Sequence, residues 1–250
     1  MIIIKSDQEI DLMREAGRVT GLILKELEDF IKPGISTMDI DRFVEDTIRK
    51  NGMTPSFKGL YGFPASVCVS VNEEVVHGIP DKKRKLREGD IVSVDTGATY
   101  KGYVSDAART YAVGKISDEA QRLIDAAKDS FFEGMKFCKA GCRLSDISNA
   151  IQTKAEGEGF SVIRDFVGHG VGQDMHEDPQ IPNYGKPGRG PRLVKGMVFA
   201  IEPMICVGGY EVKTLSNDWT VVTADGKLAA HYENTVVITD GEPELLTLAD

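Results

Sequence analysis

Two aspartates stand where strands disfavour acids. In the stretch Glu88–Gly114 (EGDIVSVDTGATYKGYVSDAARTYAVG), Ile91, Val92, Val94 and Tyr100 are strand formers, and Tyr103, Val104, Thr110 and Tyr111 supply a return strand. Lys101-Gly102 reads as a two-residue turn between them. In an antiparallel hairpin centred on that turn, residue 106 faces residue 97. Asp95 then lies on the same face, diagonal to Asp106. Two carboxylates placed so closely repel each other unless a proton or a cation lies between them.

An internal repeat doubles the pair. Lys139-Ala140-Gly141 echoes Lys32-Pro33-Gly34 at an offset of 107, and Asp146-Ile147 echoes Asp39-Ile40 at the same offset. Gly159 follows Gly52, and KGMVFAIE (195–202) follows EGDIVSVD (88–95), still 107 later. The offset then grows to 127, where Tyr232–Ile238 resembles Ser105–Tyr111, with an insertion around residues 208–227 that carries the only tryptophan, Trp219. Asp95 thus corresponds to Glu202, and Asp106 to Glu233. Two such halves about a pseudo-twofold axis would bring four acids together at the centre of one sheet.

Four converging carboxylates need a counter-charge, and the strands offer no basic residue except Arg109. Divalent metal ions are the simplest answer. An all-oxygen site suits Mg, Mn or Ca, and an added imidazole moves the preference towards Mn, Fe, Co or Zn. His169 offers one, set between glycines in VGHGVG (167–172), where a backbone can approach closely. His77 and His176 sit among Gly, Pro and acidic residues, whereas His231, two residues before Glu233, reads as a local strand residue.

Competing motifs fail on their details. Gly168-x-Gly170-x-Gly172 is followed by Gln173 and lacks the dinucleotide-binding context, and HEDPQ at 176–180 lacks the second histidine of a zincin. Neither a nucleophile elbow nor a phosphate-loop lysine motif is present. Cys138 and Cys142 are spaced C-x3-C, but nothing adjacent completes a zinc site, so all four cysteines read as free thiols. A net charge of −9 disfavours a general nucleic-acid or anionic-membrane binder. The basic run Lys82–Lys85 reads as a solvated loop. Three isoleucines at the N-terminus are too few for a signal peptide, which makes the cytoplasm the expected location.

The elements that must position these residues follow a simple order. Ser6 and Glu9 form a capping box for a helix with Ile10, Met13, Gly17, Leu24, Leu27 and Ile31 on one face, ended by Pro33-Gly34. A second helix starts near Ser36 or Thr37 and stops at Asn51-Gly52. Extended and irregular chain follows, including the strand Ser66–Val71. A third helix opens at Ser117, with Leu123, Ala127, Phe131, Met135 and Phe137 on its apolar side. The repeat supplies a fourth. The expected fold is α+β: one 250-residue domain of two α-α-β halves, approximately 1–115 and 116–250, whose strands join in a curved antiparallel sheet covered by helices.

The motifs SVNEEVVHGIP (70–80), GDIVSVDTGATYKGYVSDAARTY (89–111), VGHGVGQDMHEDPQIPNYG (167–185), GMVFAIEPM (196–204) and YENTVV (232–237) resemble those of the type I methionine aminopeptidases, pita-bread peptidases of family M24, over essentially the whole chain. The resemblance implies removal of an N-terminal methionine by a hydroxide bridging two divalent ions. Asp95, Asp106, His169, Glu202 and Glu233 would be the ligands, with Asp106 and Glu233 bridging. Glu202 would also move protons, His77 would contact the substrate amide, and His176 would polarise the scissile carbonyl. Phe57, Phe63, Cys68, Met175 and Trp219 would form the methionine pocket. Peptide N-termini of newly made proteins are the implied partners, with the ribosome as a candidate. Two rivals share the fold: a proline-specific aminopeptidase, and a metal-free module that binds peptides or ribosomes. The first usually carries an extra N-terminal domain, and the second typically lacks several of the ligands found here.

Overall fold

The computed structural model describes residues 1–249. The described residues form four α-helices and a set of short antiparallel strands. Helix α1 (Asp7–Phe30) begins at the expected box: Glu9 Oε2 accepts from the Ser6 amide at 2.7 Å, and Ser6 Oγ accepts from the Glu9 amide at 3.4 Å. Helix α2 (Thr37–Lys50) repeats the device with Ser36 and Asp39. Helices α3 (Asp118–Met135) and α4 (Leu144–Gly157) follow in the second half. Phe137, expected on the apolar side of α3, lies beyond its end and is exposed, because the helix stops at Met135.

The repeat recurs as individual hydrogen bonds. The Gly34 amide donates to the Leu86 carbonyl at 2.8 Å, and the Gly141 amide to the Leu193 carbonyl at 2.9 Å. Leu86 donates back to Ile35 and Leu193 to Cys142; Thr37 donates to Arg84 and Leu144 to Pro191. Every such pair is separated by 107 residues. Gly34 and Gly141 adopt φ of 97° and 94°, a region open to glycine at little cost. Each half buries its own apolar cluster beneath its helices, one around Ile23, Leu27 and Val94, the other around Leu123, Phe131 and Phe199.

The hairpin folds as its turn chemistry dictates. Lys101 and Gly102 both have positive φ, and Tyr100 pairs with Tyr103. Further along, strand Ile91–Thr96 pairs with Ala107–Ala112, setting Asp95 opposite Ala108. This is the register expected from the turn. Strand Val67–Val71 flanks the pair on the other side, with Cys68 opposite Asp95.

The strands form several small antiparallel ladders, and threonine hydroxyls bridge the seam between the halves. The Glu233 amide donates directly to the Ala108 carbonyl at 3.0 Å. On one side of it, Thr110 Oγ1 accepts from the His231 amide and donates to the His231 carbonyl, both at 2.9 Å. On the other, Thr235 Oγ1 accepts from the Asp106 amide at 2.9 Å and donates to its carbonyl at 2.8 Å. The strands therefore run antiparallel across the seam while a side chain stands in for part of the ladder. The insertion forms strands Val212–Thr214 and Val221–Thr223, and the latter pairs with Glu74–Val76 of the first half. That pairing carries Trp219 across the molecule.

Candidate metal and substrate site

All four acids and His169 converge where the halves meet. Asp95 projects from Ile91–Thr96, and Glu202 directly follows Val198–Ile201, the repeat-related strand. Asp106 and Glu233 directly precede Ala107–Ala112 and Asn234–Val237. His169 Nε2 lies 3.5 Å from both Asp106 Oδ2 and Glu202 Oε1. Donor atoms of Asp106, His169 and Glu233 lie within 4.8 Å of one another, and so do those of Asp95, His231 and Glu233. Two triads thus share one carboxylate.

Among the described residues no lysine or arginine neutralises the group. Arg109 Nη1 donates to the carbonyls of Ala108 and Glu233, Nη2 donates to Asn234 Oδ1, and the guanidinium stacks on Tyr232. It buttresses the seam instead of pairing with an acid. Burial, reinforced by mutual repulsion, pushes Asp95, Asp106 and Glu202 well above the usual carboxyl range. Among the described residues six buried side-chain polar atoms have no hydrogen-bond partner; four belong to Asp95, Asp106, Glu233 and His231. Such orphans are costly in a folded protein unless a ligand satisfies them.

His169 is held in the middle of strand Gly168–Gly170. Its Nδ1 lies 2.9 Å from the Gly170 carbonyl, which places the ring proton there and leaves the Nε2 lone pair facing the acids. Burial lowers its pKa, which keeps that lone pair free. The flanking glycines allow close approach of backbone: a Cβ at Gly168 would sit 2.5 Å from the Ala200 carbonyl, and one at Gly170 2.2 Å from that of Asp178. These are the neighbouring strands that hold His169 opposite Ala200 and Gln180.

The acids form the floor of a cleft, and every residue expected at the site lines it. Phe57, Phe63, Cys68, Met175 and Trp219 make an apolar wall, with Phe63 edge-on to Trp219 at 5.1 Å between ring centres. His77 and His176 stand above the acids. The His176 ring packs against His169 at 4.5 Å and stacks on Tyr61 at 5.7 Å. His77 meets Trp219 and Phe166 edge-on. His77 is held down to about 4 by burial and then by His231. His176 shows one edge to solvent, yet burial in the cleft, with His169 and His77 beside it, also holds it to about 4. Both rings are therefore neutral near neutral pH. Lys5, buried against Glu177, pins the segment carrying His176 from below.

Comparison with known proteins decides the family. The model of metallopeptidase family M24 matches residues 11–240. The chain belongs to metallopeptidase family M24. It is 61% identical over its whole length to the whole methionine aminopeptidase of Clostridium acetobutylicum. It is 56% identical to methionine aminopeptidase 1 of Bacillus subtilis over 99% of both chains. The crystal structure of a methionine aminopeptidase from Thermotoga maritima superposes with a TM-score of 0.98 at 47% identity, covering 99% of this chain and 100% of that one. The M24 pita-bread architecture is the fold described above, and its metallopeptidase chemistry fits the orphaned donors of the cleft floor.

Two residues at or beneath the cleft escaped the sequence reading. His231 belongs to the Asp95–Glu233 triad rather than merely to its strand. Its signal was its position two residues before Glu233, which in an extended chain puts both on one face. Tyr61 lines the cleft with φ of 49° and its hydroxyl 3.4 Å from His176 Nδ1. No periodic pattern marks a residue in an irregular loop.

Proposed function

We infer that this chain removes the N-terminal methionine from peptides, as a metal-dependent aminopeptidase. The carrying observation is the set of buried, unpartnered donors from both halves of the chain at the floor of a cleft with an apolar wall. Near-identity of fold and 61% sequence identity to a methionine aminopeptidase support the substrate class.

In this reading Asp95, Asp106, His169, Glu202 and Glu233 would hold two divalent ions, with Glu233 belonging to both triads. The donor set suits Mn, Fe, Co or Zn. A bound divalent pair supplies charge that favours ionised water at neutral pH and a polarised carbonyl. Glu202, its pKa raised by burial and by Glu233, accepts a proton from the attacking water and returns it to the leaving amine. Neutral His176 offers a ring N–H to the developing oxyanion, and Tyr61 holds the ring in place. Neutral His77 contacts the substrate amide. The apolar wall, with the soft thioether of Met175, receives the methionine side chain and excludes water from it. New protein N-termini are the natural substrates, encountered in the cytoplasm during or after synthesis at the ribosome. Release of methionine from a Met-Ala-Ser peptide across a panel of added metals tests the reading. Methionine should appear only with a divalent ion, and no release with any metal of the panel would contradict it.

A further inference from the structure

We propose that His231 is a sixth protein ligand, giving an imidazole nitrogen to the ion held by Asp95 and Glu233; the proposal rests on the two-ion reading of the cleft. His231 ends the strand Ala229–His231 and is 1% exposed. Its backbone is fixed on both sides by Thr110. Its Nε2 lies 3.3 Å from Glu233 Oε2, but the two form no hydrogen bond, and that nitrogen has no other partner among the described residues. Glu233 Oε1 and Asp95 Oδ1 are orphaned beside it.

A buried imidazole nitrogen next to a carboxylate normally donates to it. Here the ring is within range and lacks the geometry. The spacing fits a shared ion instead. Donors about 2.1 Å from one ion lie about 3.0 Å apart on an octahedral edge and about 3.4 Å apart on a tetrahedral one. The observed 3.3 Å falls between these. The second triad is built the same way, with His169 beside Asp106 and Glu233. Each ion would then have one imidazole and share Glu233, and both positions would favour Fe, Co or Zn over Mg.

The test uses the full chain, stripped of metal and loaded with Co(II), in unaltered form and as His231→Ala, His231→Gln and His169→Ala. X-ray absorption counts imidazoles per cobalt, calorimetry counts ions, and circular dichroism checks the fold. The unaltered protein should bind two ions with an average of about one imidazole each, and either His231 variant should retain about half as many. One of the two ions should also bind His231→Ala at least about tenfold more weakly. His169→Ala supplies the scale for the loss of one ring. His231→Gln, which keeps a polar donor, serves if the alanine variant does not fold. Two bound ions with an unchanged imidazole count in the His231 variants would overturn the proposal and leave the two-ion reading standing. Failure of the unaltered protein to bind any divalent ion would overturn both.

Discussion

In the first half, Gly34, Ile35 and Thr37 bond to Leu86 and Arg84; in the second, Gly141, Cys142 and Leu144 make the same bonds to Leu193 and Pro191. The likeness stops on the inner face of the strands. Ser70 pairs with Ser93, whereas His169 pairs with Ala200, and residues 93 and 200 are repeat mates. An imidazole in one half thus stands where the other has a hydroxyl. The first half supplies two short acids, Asp95 and Asp106, and the second two longer ones, Glu202 and Glu233. His77 and His176 follow Ser70 and His169 at equal spacing, so these two rings are themselves mates. The repeat therefore preserves what holds the acids in place, and the asymmetry falls on what touches ions and substrate.

Substitutions at the centre should break this comparison most severely. Asp106→Ala removes a carboxylate between the two halves. It should lose both bound ions, measured by metal analysis, and lower kcat by about 10³-fold or more. Retained metal would show that each half binds independently. His176→Ala should lower kcat by about 10²-fold with two ions still bound, and His77→Ala should act more on KM.

The histidine mates also predict a pH dependence. Each native ring is held to about 4 against an ordinary 6.5, so below 6.5 the unfolded chain takes a proton that the native one refuses. Their stabilising contribution is present above 6.5 and is lost as pH falls towards 4. Replacing His77 with Asn should flatten the fall of Tm between those limits, and an unchanged slope would place the proton uptake elsewhere.

The smallest effects test the shared scaffold. Gly34→Ala and Gly141→Ala place a Cβ in open space at a left-handed φ, so both should cost about 1 kcal/mol, equally in the two halves. Gly168→Ala has no such freedom, since its Cβ would meet the Ala200 carbonyl, and should cost about 1–3 kcal/mol. Urea unfolding of the three variants would rank them.

The scaffold was legible because its signals are local. Ser6–Glu9 and Ser36 or Thr37 mark helix starts, Lys101-Gly102 sets a register that carries through to Asp95, and a constant offset of 107 exposes the repeat. The acids were legible through that offset. The histidine mates were not, because the strand bearing His169 follows its counterpart at 99 residues, so the alignment slips where the imidazoles enter. The threonine bridges at the seam are contacts between residues more than a hundred positions apart, which no window along the chain contains. Tyr61 depends on a loop conformation, and His231 on a partner two residues away whose own role had to be known first.

The central claim is that the two halves together hold a pair of divalent ions on which peptidase action depends. Metal-free protein titrated with Mn(II), with bound ions and methionine release from Met-Ala-Ser followed on the same samples, tests it most directly. The account predicts no release without metal, activity rising with occupancy, and saturation at two ions per chain. Full release from rigorously metal-free protein would contradict it.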